Sequence, residues 1–372
     1  MFISNRKGSV LVIVIWILSL LSILAVSVSV ITSAEIYFIK RYRNQATAYF
    51  IARAGILQAI AELELDKSLS AYDALNENWS NKPELFSNRK VGSGFFSLSY
   101  AYSPGLTTQD AEGQQTVITN TFYGMMDEER KININTASMS ILQALFQERA
   151  GLTPSQTKEI SDSIVDWRDQ DDTRRENGAE NGYYQSLPQS YSCKNNRFDV
   201  LEELILVKGM KPDIFYAVKD FITLYGDGKV NINTAPYPVL RALGSNNPAS
   251  DSLANKIIRC RAGADGIEGT EDDGVFMQTS SIITALTTRE SLTSSENALI
   301  KNLLVTNVFT VQSNYFRIIS EGYFADIGNE NTDSTNPDGF SEREPRTGKD
   351  KKNSKKITCI VHRNGKIVYW QE

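Results

Sequence analysis

A chain of 372 residues, 41% hydrophobic and 22% charged, has the apolar material for a sizeable core and the length for two globular units. Its 39 basic and 44 acidic residues leave a net charge of -5, which excludes a broad cationic field that would hold nucleic acid by its phosphates. The single histidine, His362, disfavours His-based proton transfer and most zinc sites; three cysteines (Cys193, Cys260, Cys359) form no Cys-x-x-Cys motif and leave room for one disulfide, of unassigned pairing, plus a free thiol.

Residues 1–8 form a short polar leader carrying Arg6 and Lys7 and ending in Gly8. From Ser9 to Ile31 there is no charge, a run of roughly 23 residues that suffices to cross a bilayer as a helix. Basic residues ahead of the span favour a cytoplasmic amino terminus, with everything after it outside. A cleaved secretory signal would have a shorter apolar run and an A-x-A-like site, and neither is present. The chain instead continues as helix, with Ile36, Ile39, Ala46, Tyr49, Phe50, Ala54, Leu57, Ile60, Ala61 and Leu65 mostly at three- and four-residue steps.

Arg6-Lys7-Gly8 before a long apolar helix resembles the class III prepilin leader. The resemblance implies cleavage between Gly8 and Ser9 by a prepilin peptidase, with methylation of the new Ser9 amine. Most pilins and pseudopilins carry a glutamate at the fifth position after the cut, whereas Ile13 stands there in this chain. A carboxylate in lipid is costly unless paired, and in a growing filament its partner is a neighbouring subunit's amino terminus. A subunit that enters first has no earlier neighbour, so the missing acid suits a filament tip; drift in a plain anchor is the bland alternative.

Beyond a polar loop (76–90), Gly94 to Tyr102 and Thr116 to Tyr123 read as strands from their aromatic and β-branched content. Val308 to Val311 and Tyr315 to Ala325 are expected as further strands of the same sheet, and Asn364-Gly365 joins two alternating runs as a hairpin. Residues 326–355, rich in Asn, Asp, Gly, Pro and Lys, read as a mobile loop. Between the strand groups, 132–305 is mainly helical and holds an internal repeat: Asn133-Ile134-Asn135-Thr136-Ala137 before Leu142 and Leu145, and Asn231-Ile232-Asn233-Thr234-Ala235 before Leu240 and Leu243. The Asn-Thr pairs are expected to cap the helices that follow. The element also resembles the opening of helix-hairpin-helix modules of DNA-uptake proteins, but no Gly-x-Gly hairpin with flanking basic residues follows either copy, so no nucleic-acid partner is expected.

The succession from Val165-Asp166-Trp167 through Gly178-Ala179-Glu180-Asn181 and Glu202-Glu203-Leu204 to Val207-Lys208-Gly209-Met210 and the second repeat copy resembles the general secretion pathway protein K family. These are the largest minor pseudopilins of type II secretion. The resemblance implies an α+β pilin-like fold, a long amino-terminal helix on a small antiparallel sheet, interrupted by a large inserted helical domain. The expected divisions are a leader (1–8), a transmembrane helix (9–31), the pilin-like helix and first strands (32–131), the insertion (132–305) and the remaining strands (306–372). It further implies a non-enzymatic inner-membrane subunit, its carboxyl-terminal part periplasmic, that initiates or caps a pseudopilus with two other minor pseudopilins and contacts the major one.

Two acidic loops are the candidate metal sites. Asp166, Asp169, Asp171, Asp172, Glu176 and Glu180 crowd the first; Asp265, Glu268, Asp272 and Asp273 alternate with glycines in the second. Such charge is either solvated or neutralised by a hard cation, and calcium takes six to eight oxygens. The spacing is not that of an EF-hand. The family's helical domain binds calcium, which implies up to two ions here without assigning their ligands; the candidates in the two loops are Asp169, Asp171, Asp172 and Glu180, and Asp265, Glu268, Asp272 and Asp273. No nucleophile elbow, Walker loop or carboxylate dyad in an apolar pocket marks an enzyme. Two rivals share part of the pattern: a type IV pilus minor pilin would have the stalk without the insertion, and a membrane-tethered DNA receptor would have the Asn-Thr-Ala elements with salt-sensitive DNA binding.

Overall fold

A computed structural model of the chain describes residues 7–105, 107–109, 115–117, 119–323 and 354–372. Most of the leader, and nearly all of the loop expected over 326–355, lie outside the described residues.

Lys7–Leu69 form one unbroken helix, as a stretch without proline and with no glycine between Ser9 and Ala54 permits. Its first part is long and apolar enough to cross a membrane, and its side chains from Val10 to Ile31 are exposed. The last third packs on a sheet through Ala48, Ile51, Ala52, Ile56, Ala59 and Leu63, all buried. A fully buried Ile or Leu on such a face is worth about 1.5–3 kcal/mol. Ile36, Ile39, Phe50, Leu57 and Leu65, which the sequence sets at helical spacing, stay exposed. The helix thus has two apolar stripes, one turned to its own sheet and one away from it.

The sheet is antiparallel, in the order Arg89–Val91, Gly94–Leu98, Tyr315–Tyr323, Ser354–His362, Ile367–Gln371, with Met126–Asp127 also pairing the third strand. Alternation along Tyr315–Tyr323 sends Phe316, Ile318 and Ser320 to the helix and Arg317 and Ile319 to the other face. Gly365, at φ +83°, closes the hairpin expected at Asn364-Gly365. Tyr100–Tyr102 and Asn120–Phe122 form a separate ribbon.

The helical block is two copies of one unit. Ile132–Asn133 pairs in parallel with Ile222–Thr223, and Val230–Asn231 with Phe309–Thr310. Phe309–Thr310 therefore closes the second unit, and the expectation that it belongs to the pilin-like sheet is corrected. Each unit runs from its Asn-x-Asn-Thr-Ala element into a helix (Met139–Ala150; Tyr237–Leu243), a second helix (Pro154–Arg168; Ser250–Arg261), an acidic loop and further helices. Leu142, Leu145, Leu240 and Leu243 are buried in one core that spans both units.

The repeated asparagines do not cap these helices. Ser138 caps the first, and the second starts at Pro236 without a side-chain cap. Asn135 instead brackets Phe198, its Oδ1 accepting from the amide at 2.8 Å and its Nδ2 donating to the carbonyl at 3.1 Å. Asn233 does the same to Phe276, at 2.9 and 3.0 Å. Arg168, from the end of its helix, donates to the carbonyls of Ile134 and Ala137; Arg261 donates to those of Ile232 and Ala235, both at 2.8 Å. The repeat is a socket that fixes a distant loop segment and an arginine, which is why it recurs as a block.

Candidate functional site

In the first acidic loop, Asp166 is buried and accepts from the Arg175 guanidinium at 2.9 Å, and the same Nη1 reaches Asp169 Oδ2 at 2.7 Å. A Cβ at Gly178 would lie 1.9 Å from Asp166 Oδ2, so only glycine lets the backbone cross this carboxylate. Asp171 Oδ1 accepts from the Thr173 amide, and Asp172 Oδ1 from the Asn181 side chain and amide. Glu180 differs from all of these. It is 4% exposed, and its carboxylate oxygens meet no nitrogen or oxygen donor among the described residues, the Cys193 thiol being the weak donor beside them; Asp169 Oδ1 and Asn195 Oδ1 are likewise buried and unpaired. Burial, with Asp166, Asp169 and Asp172 adding repulsion, pushes Glu180 up to about 7.

The second loop satisfies its carboxylates itself. Gly263, Gly266 and Gly269 take positive φ, and the turns they make let Asp272 Oδ2 accept from the Ala264 and Asp265 amides at 2.6 and 3.2 Å. Asp273 Oδ2 accepts from the Gly269 amide at 2.7 Å, and Asp265 Oδ1 from that of Ile267. Glu268 turns inward, where Arg261 Nε donates to it at 2.6 Å and the Tyr102 hydroxyl donates to its other oxygen. It is taken by the guanidinium rather than grouped with the three aspartates.

Sequence reasoning missed a buried polar junction between sheet and helical block. Asp127 to Lys131 are five consecutive charged residues, all buried. Asp127 Oδ2 accepts from Thr234, Asn231 and Ser313, which ties the sheet to the second unit. Glu128 is held by Lys131 and Arg317; burial alone would raise it, but these two cations bring it down to about 2. Close by, Arg363 pairs with both Asp66 at the stalk end and Asp73, while Asp66, Asp73 and Glu77 converge on one another. In the sequence the 127–131 run looks like a solvated charge cluster; its place just before the first repeat copy was the available signal.

Of the amino-terminal candidates, Gly8 and Ser9 lie in the first turns of the long helix, and Ile13 is exposed on its apolar stretch. Cys193, Cys260 and Cys359 stand as free, buried thiols, one in each unit and one in the sheet.

Residues 118–227 match the first-domain family model described as type II secretion system, protein K, and residues 230–292 match a second model of that description. The type II secretion system protein K of Pectobacterium carotovorum subsp. carotovorum is 22% identical over 236 residues, 62% of this chain and 67% of that protein. Its namesake in Pseudomonas aeruginosa is 31% identical over 114 residues, and a putative one in Escherichia coli K12 is 30% identical over 117. Those two matches span only 33% and 36% of the respective relatives and 30% of this chain. A chain of the crystal structure of the GspK-GspI-GspJ complex from enterotoxigenic Escherichia coli shares the fold, with TM-score 0.57 and 14% identity over 91% of this chain and 98% of that one.

Proposed function

The chain belongs to the type II secretion system protein K family, a group of minor pseudopilins, and on that footing we propose that it sits at the tip of the pseudopilus, where it starts assembly and caps the fibre. The observation that carries the reading is the stalk. Between Ser9 and Ala34 there is no charge, and Ile13 offers hydrocarbon where a subunit inside the fibre would need an acid paired with its neighbour. The exposed stripe of Ile36, Ile39, Phe50 and Leu57 is the surface for lateral packing against two other minor pseudopilins, with the major one below. The helical block broadens the head above the stalk and leaves little room for a further subunit. The subunit acts by assembling; it carries out no chemistry.

In this reading the single span lies in the inner membrane, the head in the periplasm, and a prepilin peptidase cuts after Gly8 before Ser9 is methylated. The pilus and DNA-receptor alternatives are not favoured, because the matched family is a secretion component and its match runs through the helical block. The test is position: label on the assembled fibre is expected at one end, and label along the whole length would overturn the proposal. Co-purification of the full chain with two other small pseudopilins as one ternary complex is the biochemical counterpart.

Calcium belongs to the same proposal, at the first loop. Both unpaired oxygens of Glu180, with Asp169 Oδ1 and Asn195 Oδ1, are buried oxygens of the type a hard dication takes, and its charge would neutralise the carboxylates crowded there. Asp171 and Asp172 would supply the remaining charge at the loop's outer side. The ion would brace the loop without taking part in chemistry. In the second loop no oxygen of Asp265, Glu268, Asp272 or Asp273 is a buried unpaired acceptor, so the proposal is confined to the first.

A further inference from the structure

Among the described residues, the face of the sheet turned away from the stalk is only partly covered. Between it and the first helical unit lies a cavity of about 770 Å³. Five cationic side chains line it: Arg130, Lys131, Lys219, Arg317 and Lys356. Glu202 and Asp220 are the acids in the lining. Lys131 and Arg317 are neutralised by Glu128, but Arg130, Lys219 and Lys356 have no ion pair among the described residues. Arg130 is 5% exposed and lies over the Tyr102 ring, with Nη2 donating weakly to the Ser103 carbonyl at 3.4 Å. Of the three, Arg130 is buried, Lys219 half-buried over the Tyr216 ring and Lys356 exposed, and an anion placed at this concave surface would meet three cations without a counter-ion.

The rest of the lining narrows the anion's class. Ser99, Ser103 and Thr121 offer hydroxyls, while Phe215, Phe221 and Ile319 offer apolar surface. A bare phosphate uses only the charges; an extended peptide bearing carboxylates uses charges, hydroxyls and apolar wall together, and the volume is of the size that encloses several residues' side chains. Direction narrows the source. On Tyr315–Tyr323 and Ser354–His362, Phe316, Ile318 and Ile357 face the stalk, whereas Arg317, Ile319 and Lys356 face the cavity. We propose that this cavity binds an acidic, extended peptide segment of a protein lying outside the fibre. The outward direction rests on the tip reading, in which neighbours pack along the stalk; the binding itself does not.

The test uses the full chain in a nonionic detergent and fluorescein-labelled hexaglutamate as probe, read by anisotropy. Saturable binding is expected, and half-buried Lys219→Glu with exposed Lys356→Glu together should weaken it at least about tenfold, with exposed Lys301→Glu, which does not line the cavity, as the charge-matched control. Unchanged melting of the variants secures the comparison. No saturable binding, or equal weakening by Lys301→Glu, would overturn the proposal. So would displacement of the probe by inorganic phosphate at matched concentration, which would reduce the cavity to a small-anion hole. Because the measurement is made on the isolated chain, binding would stand even if fibre labelling moved the subunit from the tip, and only the outward source would fall.

Discussion

Gly322 lies flat against Ala52 of the stalk helix: a Cβ at 322 would stand 2.3 Å from the Ala52 amide nitrogen and 2.3 Å from the Ala48 carbonyl oxygen. One helical turn on, a Cβ at Gly55 would meet Phe96, Ser320 and Leu98 below 3 Å. Helix and sheet touch backbone to backbone here, and Ser320 Oγ seals the contact by donating to the Ala52 carbonyl at 2.8 Å. Gly322→Val should destabilise the head by about 3 kcal/mol through overpacking, with Gly92→Val nearly neutral in sterics because nothing lies within 4 Å there. Gly92 does carry a φ of +57°, so its own cost is backbone strain of about 1–2 kcal/mol. Thermal melting of the two variants separates them.

The two sockets give a graded prediction. Asn233→Ala strips the partners from a buried amide and carbonyl of Phe276, and should cost about 2–3 kcal/mol. Asn135→Ala removes the same pair of bonds from Phe198 in a half-exposed setting, where water replaces part of the loss, and should cost less. Denaturant midpoints of the single variants check the order; equal costs would mean that the second socket is not the drier one.

Much of this was legible in the sequence, and the failures share a cause. The stalk, the Asn364-Gly365 hairpin and the repeat are local patterns, set by hydropathy, turn chemistry and self-similarity. The role of Asn135 and Asn233 was misread because their partners, Phe198 and Phe276, lie far along the chain, and a short Asn-Thr pair before a helix looks like a cap whatever it bonds. Phe309–Thr310 was assigned to the wrong sheet for the same reason, since its partner Val230–Asn231 opens the unit that it closes. The first acidic loop could be found but not its special member: nothing in the sequence distinguishes Glu180, whose oxygens are orphaned, from Asp166, whose oxygens hold Arg175.

The junction predicts an unusual pH response. Burial first, then Glu77, raises Asp66 to about 7, and burial with Asp127 raises Glu129 to about 8. Arg363, which faces both Asp66 and Asp73, lowers them only in part. A carboxyl whose folded value lies above its unfolded one holds its proton longer in the folded state. Its stabilising contribution is therefore present at lower pH and is lost as pH rises through the folded value. The head should accordingly lose stability between about pH 4 and 8, and Glu129→Gln should flatten the upper part of that loss. Urea midpoints across the range measure it; stability that rises steadily to pH 8 would contradict the assignment.

Processing tests the amino terminus separately from the head. Gly8→Leu should leave the unprocessed precursor, seen as a slower band on an immunoblot, because the cut proposed between Gly8 and Ser9 needs a small residue before it. The head begins its packing near Ala48, so its melting should be unaffected. A mature-sized band from the variant would remove the prepilin reading while leaving the family and fold in place.

Calcium and protons should compete at Glu180. Without a cation, Glu180 keeps its proton up to about pH 7, since burial and the neighbouring aspartates oppose its charge. Binding an ion requires the carboxylate, so affinity should fall as pH drops below that value, each bound calcium displacing one proton from this residue. Chelator should therefore lower the melting temperature markedly at pH 8 and little at pH 5. Glu180→Gln leaves volume and burial nearly unchanged but removes the charge; the variant should melt at about the same temperature with and without calcium. Asp272→Asn, in the loop that closes on its own amides, should retain the calcium-dependent shift. If instead Asp272→Asn abolishes the shift and Glu180→Gln keeps it, the ion belongs to the second loop, and the unpaired oxygens of the first have some other partner.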